Sequence, residues 1–178
     1  MNNMLLEINN VYKTFPVKAG FGKTTVAKAV DGVTLSVAAG EVVGLVGESG
    51  CGKSTLGRIA LNLIEPTAGT VSFKGRVLST LDKEELRSLR KEMQIIFQDP
   101  FASLNPRMRV QEISVEPLVI HGLARKEELA DRAAALLRKV GLPTDALRRY
   151  PHEFSGGQRQ RIGIARSLAS NPSFIVAD

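Results

Sequence analysis

Val42-Val43-Gly44-Leu45-Val46-Gly47-Glu48-Ser49-Gly50-Cys51-Gly52-Lys53-Ser54 decides the fold. It opens with a continuous apolar run, the pattern of a strand buried on both faces. Gly47 to Ser54 then fits G-x-x-x-x-G-K-S. Glycines in such a loop let successive main-chain N–H groups converge on phosphate oxygens. The helix predicted from Lys53 to Ile64 points its positive end at the same place. Lys53 supplies a mobile charge for the β- and γ-phosphates, and Ser54 a hydroxyl for Mg²⁺.

Outward from this loop, residues 4 to 11 read as a short strand, and 16 to 29 as a loop or long hairpin. Val33 to Val37 alternates like a half-buried strand. Pro66-Thr67-Ala68-Gly69 breaks the first helix, and a hairpin over 70 to 78 turns at Lys74-Gly75. Asp82 and Glu85 have capping-box spacing and open a helix to about Lys91. Gln94 to Phe97 is a strand, and 98 to 109 a loop. Residues 110 to 150 are helical, with Leu129, Ala133, Leu136 and Val140 on one face and Gly141 with Pro143 as a stop. A further helix over Gly156 to Ala169 ends at Asn171-Pro172. The apolar strand Phe174-Ile175-Val176-Ala177 leads into Asp178. The expected architecture is an α/β core with an appended β layer and a helical part.

The 178 residues are enough for one domain with a core. The net charge of +6 fits an anionic partner or a solvated basic surface, and the densest spots are Arg148-Arg149 and Arg159-Gln160-Arg161. A single cysteine, Cys51, makes no internal disulfide and suits a reducing compartment. Its place in the loop suggests that alkylation blocks nucleotide binding. No run approaches the roughly 20 apolar residues of a membrane helix, so a membrane role would come through a partner. His121 reads as a surface or capping residue and His152 as structural; no cluster has metal-ligand spacing.

Phe154-Ser155-Gly156-Gly157-Gln158, followed by Arg159-Gln160-Arg161-Ile162, resembles the signature motif of ABC ATPases, with Phe154 where Leu is usual. Phe97-Gln98-Asp99-Pro100-Phe101-Ala102-Ser103-Leu104-Asn105-Pro106-Arg107 resembles the glutamine loop of the oligopeptide/dipeptide importer branch. Tyr150 to Phe154 and Ala29 to Val33 point the same way.

The resemblance implies a P-loop NTPase core with a β subdomain and a helical signature subdomain. Residues 1–178 would be an incomplete nucleotide-binding domain, with the helical subdomain at about 110–155. ATP would be held by Gly47, Glu48, Ser49, Gly50, Cys51, Gly52, Lys53, Ser54 and Thr55. Phe15 would stack on adenine, with Tyr12 a neighbouring candidate and a core role open for either. Gln98 would reach Mg²⁺ and the attacking water. Asp178 would order Mg²⁺ beside Ser54 and Gln98. Ser155, Gly156, Gly157 and Gln158 would bind the ATP of a second ATPase subunit in a head-to-tail dimer.

Transmembrane permease subunits and, indirectly, a solute-binding protein would be the partners, at the cytoplasmic face of the plasma membrane. No nucleic acid partner is expected. In the family a catalytic Glu follows the Asp, and a switch His comes later. The sequence stops at Asp178, so these residues alone are expected to be poorly stable and to hydrolyse ATP slowly or not at all, with the loop strand left at an edge. Competing readings are a soluble ABC protein acting on ribosomes or DNA, and a nucleotide-binding fragment without hydrolysis.

Overall fold

The structure is a computed structural model that describes residues 4–19, 23–99 and 103–178. Pro100-Phe101-Ala102, part of the segment quoted above, lies outside the described residues. The chain divides into two compact units, Met1–Leu86 and Arg87–Asp178.

The first unit is built on an antiparallel sheet of order β2-β1-β3-β4. Strands β1 (Met4–Ala19) and β2 (Lys23–Ala38) form one long hairpin, so the short strand expected over 4 to 11 runs on much further. A bulge between Ile8 and Val11 explains why the alternation was hard to follow. Asn10 takes a φ of 47° there and donates its N–H to Thr34 Oγ1 at 3.0 Å. The extra residue returns Val11 to the interior beside Leu6 and Ile8, all three fully buried. Gly69 of β3 (Ala68–Phe73) packs against the Asn10 carbonyl so closely that a side chain would not fit. β4 (Arg76–Val77) follows the expected two-residue turn. Lys74 and Gly75 both have positive φ, as a primed hairpin turn requires.

One expectation is overturned. Val42–Val46 forms no strand, and Val42 and Val46 are 96% and 98% exposed. An apolar run becomes a central strand only when neighbours take its N–H and C=O groups and cover its side chains. No strand among the described residues pairs with it. Helix α1 (Lys53–Ala60) also stops earlier than expected. Asn62, at φ 51°, closes it: Leu63 N–H bonds Arg58 O and Asn62 N–H bonds Ile59 O, both at 2.9 Å. This is a Schellman ending with Asn in the left-handed position. The inner face of α1 buries Leu56, Ile59 and Ala60.

Helix α2 (Lys83–Arg90) starts as expected. Asp82 Oδ1 accepts the N–H groups of Glu84 and Glu85, and Glu85 Oε2 accepts that of Asp82.

In the second unit, β5 (Met93–Ile96) and β6 (Phe174–Ala177) pair in parallel. Between them run α3 (Val110–Ile120), α4 (Leu129–Lys139) and α5 (Gly156–Leu168). The buried apolar residues of α3 serve two clusters, while Gln111, Glu112 and Glu116 lie outside them. Val110 and Ile113 join Leu137, Phe154 and Ile162 in one cluster; Val115 and Leu118 join Ala133, Leu136 and Ala165 in another. Each buried Val, Leu, Ile or Phe among them contributes roughly 1.5–3 kcal/mol. Gly141 ends α4 with a second Schellman pair, Leu142 N–H to Leu137 O and Gly141 N–H to Arg138 O. Among the described residues no helix is long and apolar enough to cross a membrane.

Candidate nucleotide-binding site

In the first unit the loop enters α1 through two left-handed glycines, Gly50 at φ 82° and Gly52 at φ 101°. Gly52 is the N-cap of α1 and offers no side chain to its first N–H groups, and the first turn carries no acid. Those donors therefore remain suited to an external anion. A Cβ on Gly52 would collide with the carbonyl oxygen of Ala29, so β2 braces the back of the loop.

Lys53 is the first helical residue. Its Nζ lies on the loop's own carbonyls, 2.8 Å from Gly47 O and 2.7 Å from Glu48 O. A phosphate would compete with these neutral carbonyls for the ammonium on charge-assisted terms. Cys51 is exposed, with Sγ 3.7 Å from Lys53 Nζ. Ser54 and Thr55 follow on the first turn, both half-buried. A cavity of about 250 Å³ lies between β2 and the loop, lined by Lys28, Asp31, Cys51 and Lys53 among others.

The two candidate aromatics separate. Tyr12 lays its ring on Gly32, with the hydroxyl 2.9 Å from where a Cβ would sit. Phe15 is exposed on β1, with Lys13 Nζ 5.1 Å from its ring centre. Phe15 is the more exposed of the two.

In the second unit, Gln98 and Asp178 leave the same end of the parallel pair. Ile96 is opposite Ala177, and Asp178 N–H donates to Ile96 O at 2.9 Å. Gln98 is exposed and Asp178 half-buried. Ser155 is the N-cap of α5, so Gly156, Gly157 and Gln158 form its first turn. Phe154 is buried under the Arg149 guanidinium, 4.4 Å from its ring centre. Arg149 also donates to Glu153 O at 2.6 Å, and Arg159 Nε to Phe154 O at 3.0 Å. The two basic spots of the sequence thus brace the turn that precedes α5. His152 stacks on Tyr150, and His121 is the C-cap residue of α3.

The family model for the ABC transporter matches residues 30–178. The chain belongs to the ABC transporter family. An oligopeptide transport ATP-binding protein of Bacillus subtilis, AppF, is 51% identical over 177 residues, covering 98% of this chain and 54% of that protein. The chain spans about half the length of the curated relatives it matches. A dimeric, post-hydrolysis structure of the ATP-binding cassette MJ0796 bound to ADP and Pi matches with a TM-score of 0.86 and 34% identity, over 98% of this chain and 73% of that one. The protein cbiO1 of Clostridium perfringens, part of the ABC transporter complex cbiONQ, gives a TM-score of 0.76 at 23% identity over 99% of this chain and 66% of that one, which speaks to the fold alone. The fold is that of an ABC ATPase cassette, an α/β P-loop NTPase, as the sequence motifs led one to expect.

Three contacts of this ABC chain were not foreseen from the sequence, although Gln160 lies in the signature segment quoted above. Gln160 Nε2 donates to Phe97 O at 3.3 Å, Arg166 Nη1 to Ser103 O at 2.7 Å, and Ser167 Oγ to Ile95 O at 2.8 Å. Burial pushes the Arg166 guanidinium down from its ordinary value, and Glu116 opposes this. The available signal was a spacing of seven between Gln160 and Ser167, which puts both on one helix face.

Proposed function

We propose that this chain is the phosphate-loop and signature portion of an ATP-binding subunit that powers an ABC importer, with di- or oligopeptides as cargo. The observation that carries the proposal is the loop-to-helix junction, where two left-handed glycines lead into an uncapped helix start headed by Lys53.

ATP would lie on the N–H groups of Gly47 to Thr55, with Lys53 transferring from the loop carbonyls to the β- and γ-phosphates. Phe15 would stack on the adenine. Ser54, Gln98 and Asp178 are hard oxygen donors of the kind Mg²⁺ takes, and the ion would neutralise phosphate charge. Gln98 would orient the attacking water. Ser155, Gly156, Gly157 and Gln158 would contact ATP held by a second ATPase subunit. ATP binding would close that dimer and hydrolysis reopen it, driving permease subunits between states, with the chain peripheral to the cytoplasmic face of the membrane.

The test is ATP-dependent uptake in vesicles that hold the full-length subunit with its permease partners. Uptake of a labelled oligopeptide that requires Mg-ATP and disappears in Lys53→Ala supports the proposal. ATP turnover stimulated by a different solute class, with no peptide uptake, would reject the cargo and keep the ATPase. No Mg-ATP binding by the wild-type chain would reject both.

A further inference from the structure

The carbonyl groups of β5 alternate in direction, as in any strand. That of Ile96 points to β6, where it takes the Asp178 N–H. Those of Ile95 and Phe97 therefore point to the opposite edge, where among the described residues no strand pairs. α5 fills that edge with side chains. Ser167, fully buried, donates to Ile95 O at 2.8 Å and also contacts Gly163 O at 3.0 Å. Gln160 donates to Phe97 O at 3.3 Å. Arg166 reaches Ser103 O, on the far side of Gln98 in sequence. Gln98 is the first residue beyond this edge, exposed and outside the ladder.

We propose that Gln160 and Ser167 are positioning residues: in place of a neighbouring strand, they fix the main chain that carries Gln98 to the helix that Ser155 caps and whose first turn is Gly156 to Gln158. The place of Gln98 then follows any displacement of that first turn. One hydrogen bond to a main-chain oxygen is worth only about 0.5–1.5 kcal/mol. The consequence for rate is larger than for stability, because a misplacement of about 1 Å in a catalytic group costs up to ~100-fold. This inference rests on the ATPase reading above.

The test is steady-state ATP hydrolysis by the full-length subunit with Gln160→Met, which keeps side-chain length and removes the donor, and with Ser167→Ala. Each should lower kcat about tenfold, leave KM for Mg-ATP within about twofold, and shift the melting midpoint by only a few degrees. Combined with Gln98→Ala, neither should add a further loss, because both act through the same group. Unchanged kcat in both single variants overturns the proposal, as does a loss that multiplies with that of Gln98→Ala. If both variants fail to fold, the bonds hold the domain together rather than place Gln98, and the proposal is likewise overturned. A wild-type subunit with no turnover would remove the ATPase reading itself, whereas an active wild type with unaffected variants removes this inference alone.

Discussion

Ser155 and Gln158 hold each other's main chain. Ser155 Oγ accepts the Gln158 N–H at 3.4 Å, and Gln158 Oε1 accepts the Ser155 N–H at 3.0 Å. The two polar residues of the signature are thus a reciprocal cap of α5 before they meet any ligand. A hydroxyl that accepts the cap bond keeps its own proton to donate, which suits an anion arriving from outside.

Ser155→Ala should therefore carry two separable costs. Loss of the cap should lower stability by about 1 kcal/mol, read as a drop of a few degrees in the melting midpoint. Loss of the donor should reduce turnover further at temperatures where the variant is fully folded. Ser155→Asp, a good N-cap with a negative charge, should restore the midpoint and not the turnover. If it restores both, the hydroxyl has no role beyond capping.

Gly52→Ala tests the brace behind the phosphate loop. The φ of 101° and the Ala29 carbonyl leave no room for a Cβ. Strain of about 1–3 kcal/mol is expected, relieved by distortion of the loop. Mg-ATP affinity measured by calorimetry should fall at least about a hundredfold, the equivalent of roughly 3 kcal/mol. Gly40→Ala offers the contrast: it also has positive φ, with open space around it, and should leave the affinity unchanged.

The two aromatics of β1 should part company on mutation. Phe15→Ala removes an exposed ring and should weaken nucleotide binding by about tenfold, the scale of one stacked base, with little change in melting. Tyr12→Ala removes the ring that covers Gly32 and should lower the melting midpoint first. The reverse pattern would move the adenine contact to Tyr12.

His121 predicts a pH effect. Burial, then Arg87 and Lys91, hold its imidazole below the ordinary value of 6.5. The fold therefore favours the neutral ring. The stability it contributes is present above the unfolded value and is lost as pH falls through the lower folded one. Between about pH 7 and about pH 5, the wild type should lose more of its melting midpoint than His121→Gln. Parallel curves would show that His121 keeps its ordinary affinity for the proton.

Amide hydrogen exchange should single out Val42 to Val46. These N–H groups lie outside every ladder of the described residues and should exchange orders of magnitude faster than those of Leu6 and Ile8 in β1. Protection at these amides would reveal a partner strand outside the described residues.

Much of this was legible because it is local chemistry. Asp82 with Glu85, Lys74-Gly75, Gly141 and the start of α5 each announce a cap or a turn within a few residues, and each appears where the residues put it. The extent of β1 was not legible, because the bulge at Asn10 breaks the alternation that a strand shows. Val42 to Val46 misled for a different reason. Its pattern reports what the segment would bury, whereas a ladder also depends on a neighbour that no local pattern contains. The bonds from Gln160 and Ser167 escaped notice because a polar residue at a helical position looks the same whether it meets water or a carbonyl of a distant strand.

The two sheets also set an order of events. β1 to β4 all lie before residue 78, although β1 reaches as far as Phe73 for its partner, so the first unit's sheet can form once that early stretch has left the ribosome. β5 must wait. The contact that begins its ladder, Glu92 with Ser173, spans 81 residues. Until α3, α4 and α5 have been made, the strand that carries Gln98 has no parallel partner, and its edge is open to any other chain nearby. Slow synthesis or a cold shock during that interval should expose the second unit to chaperones more than the first.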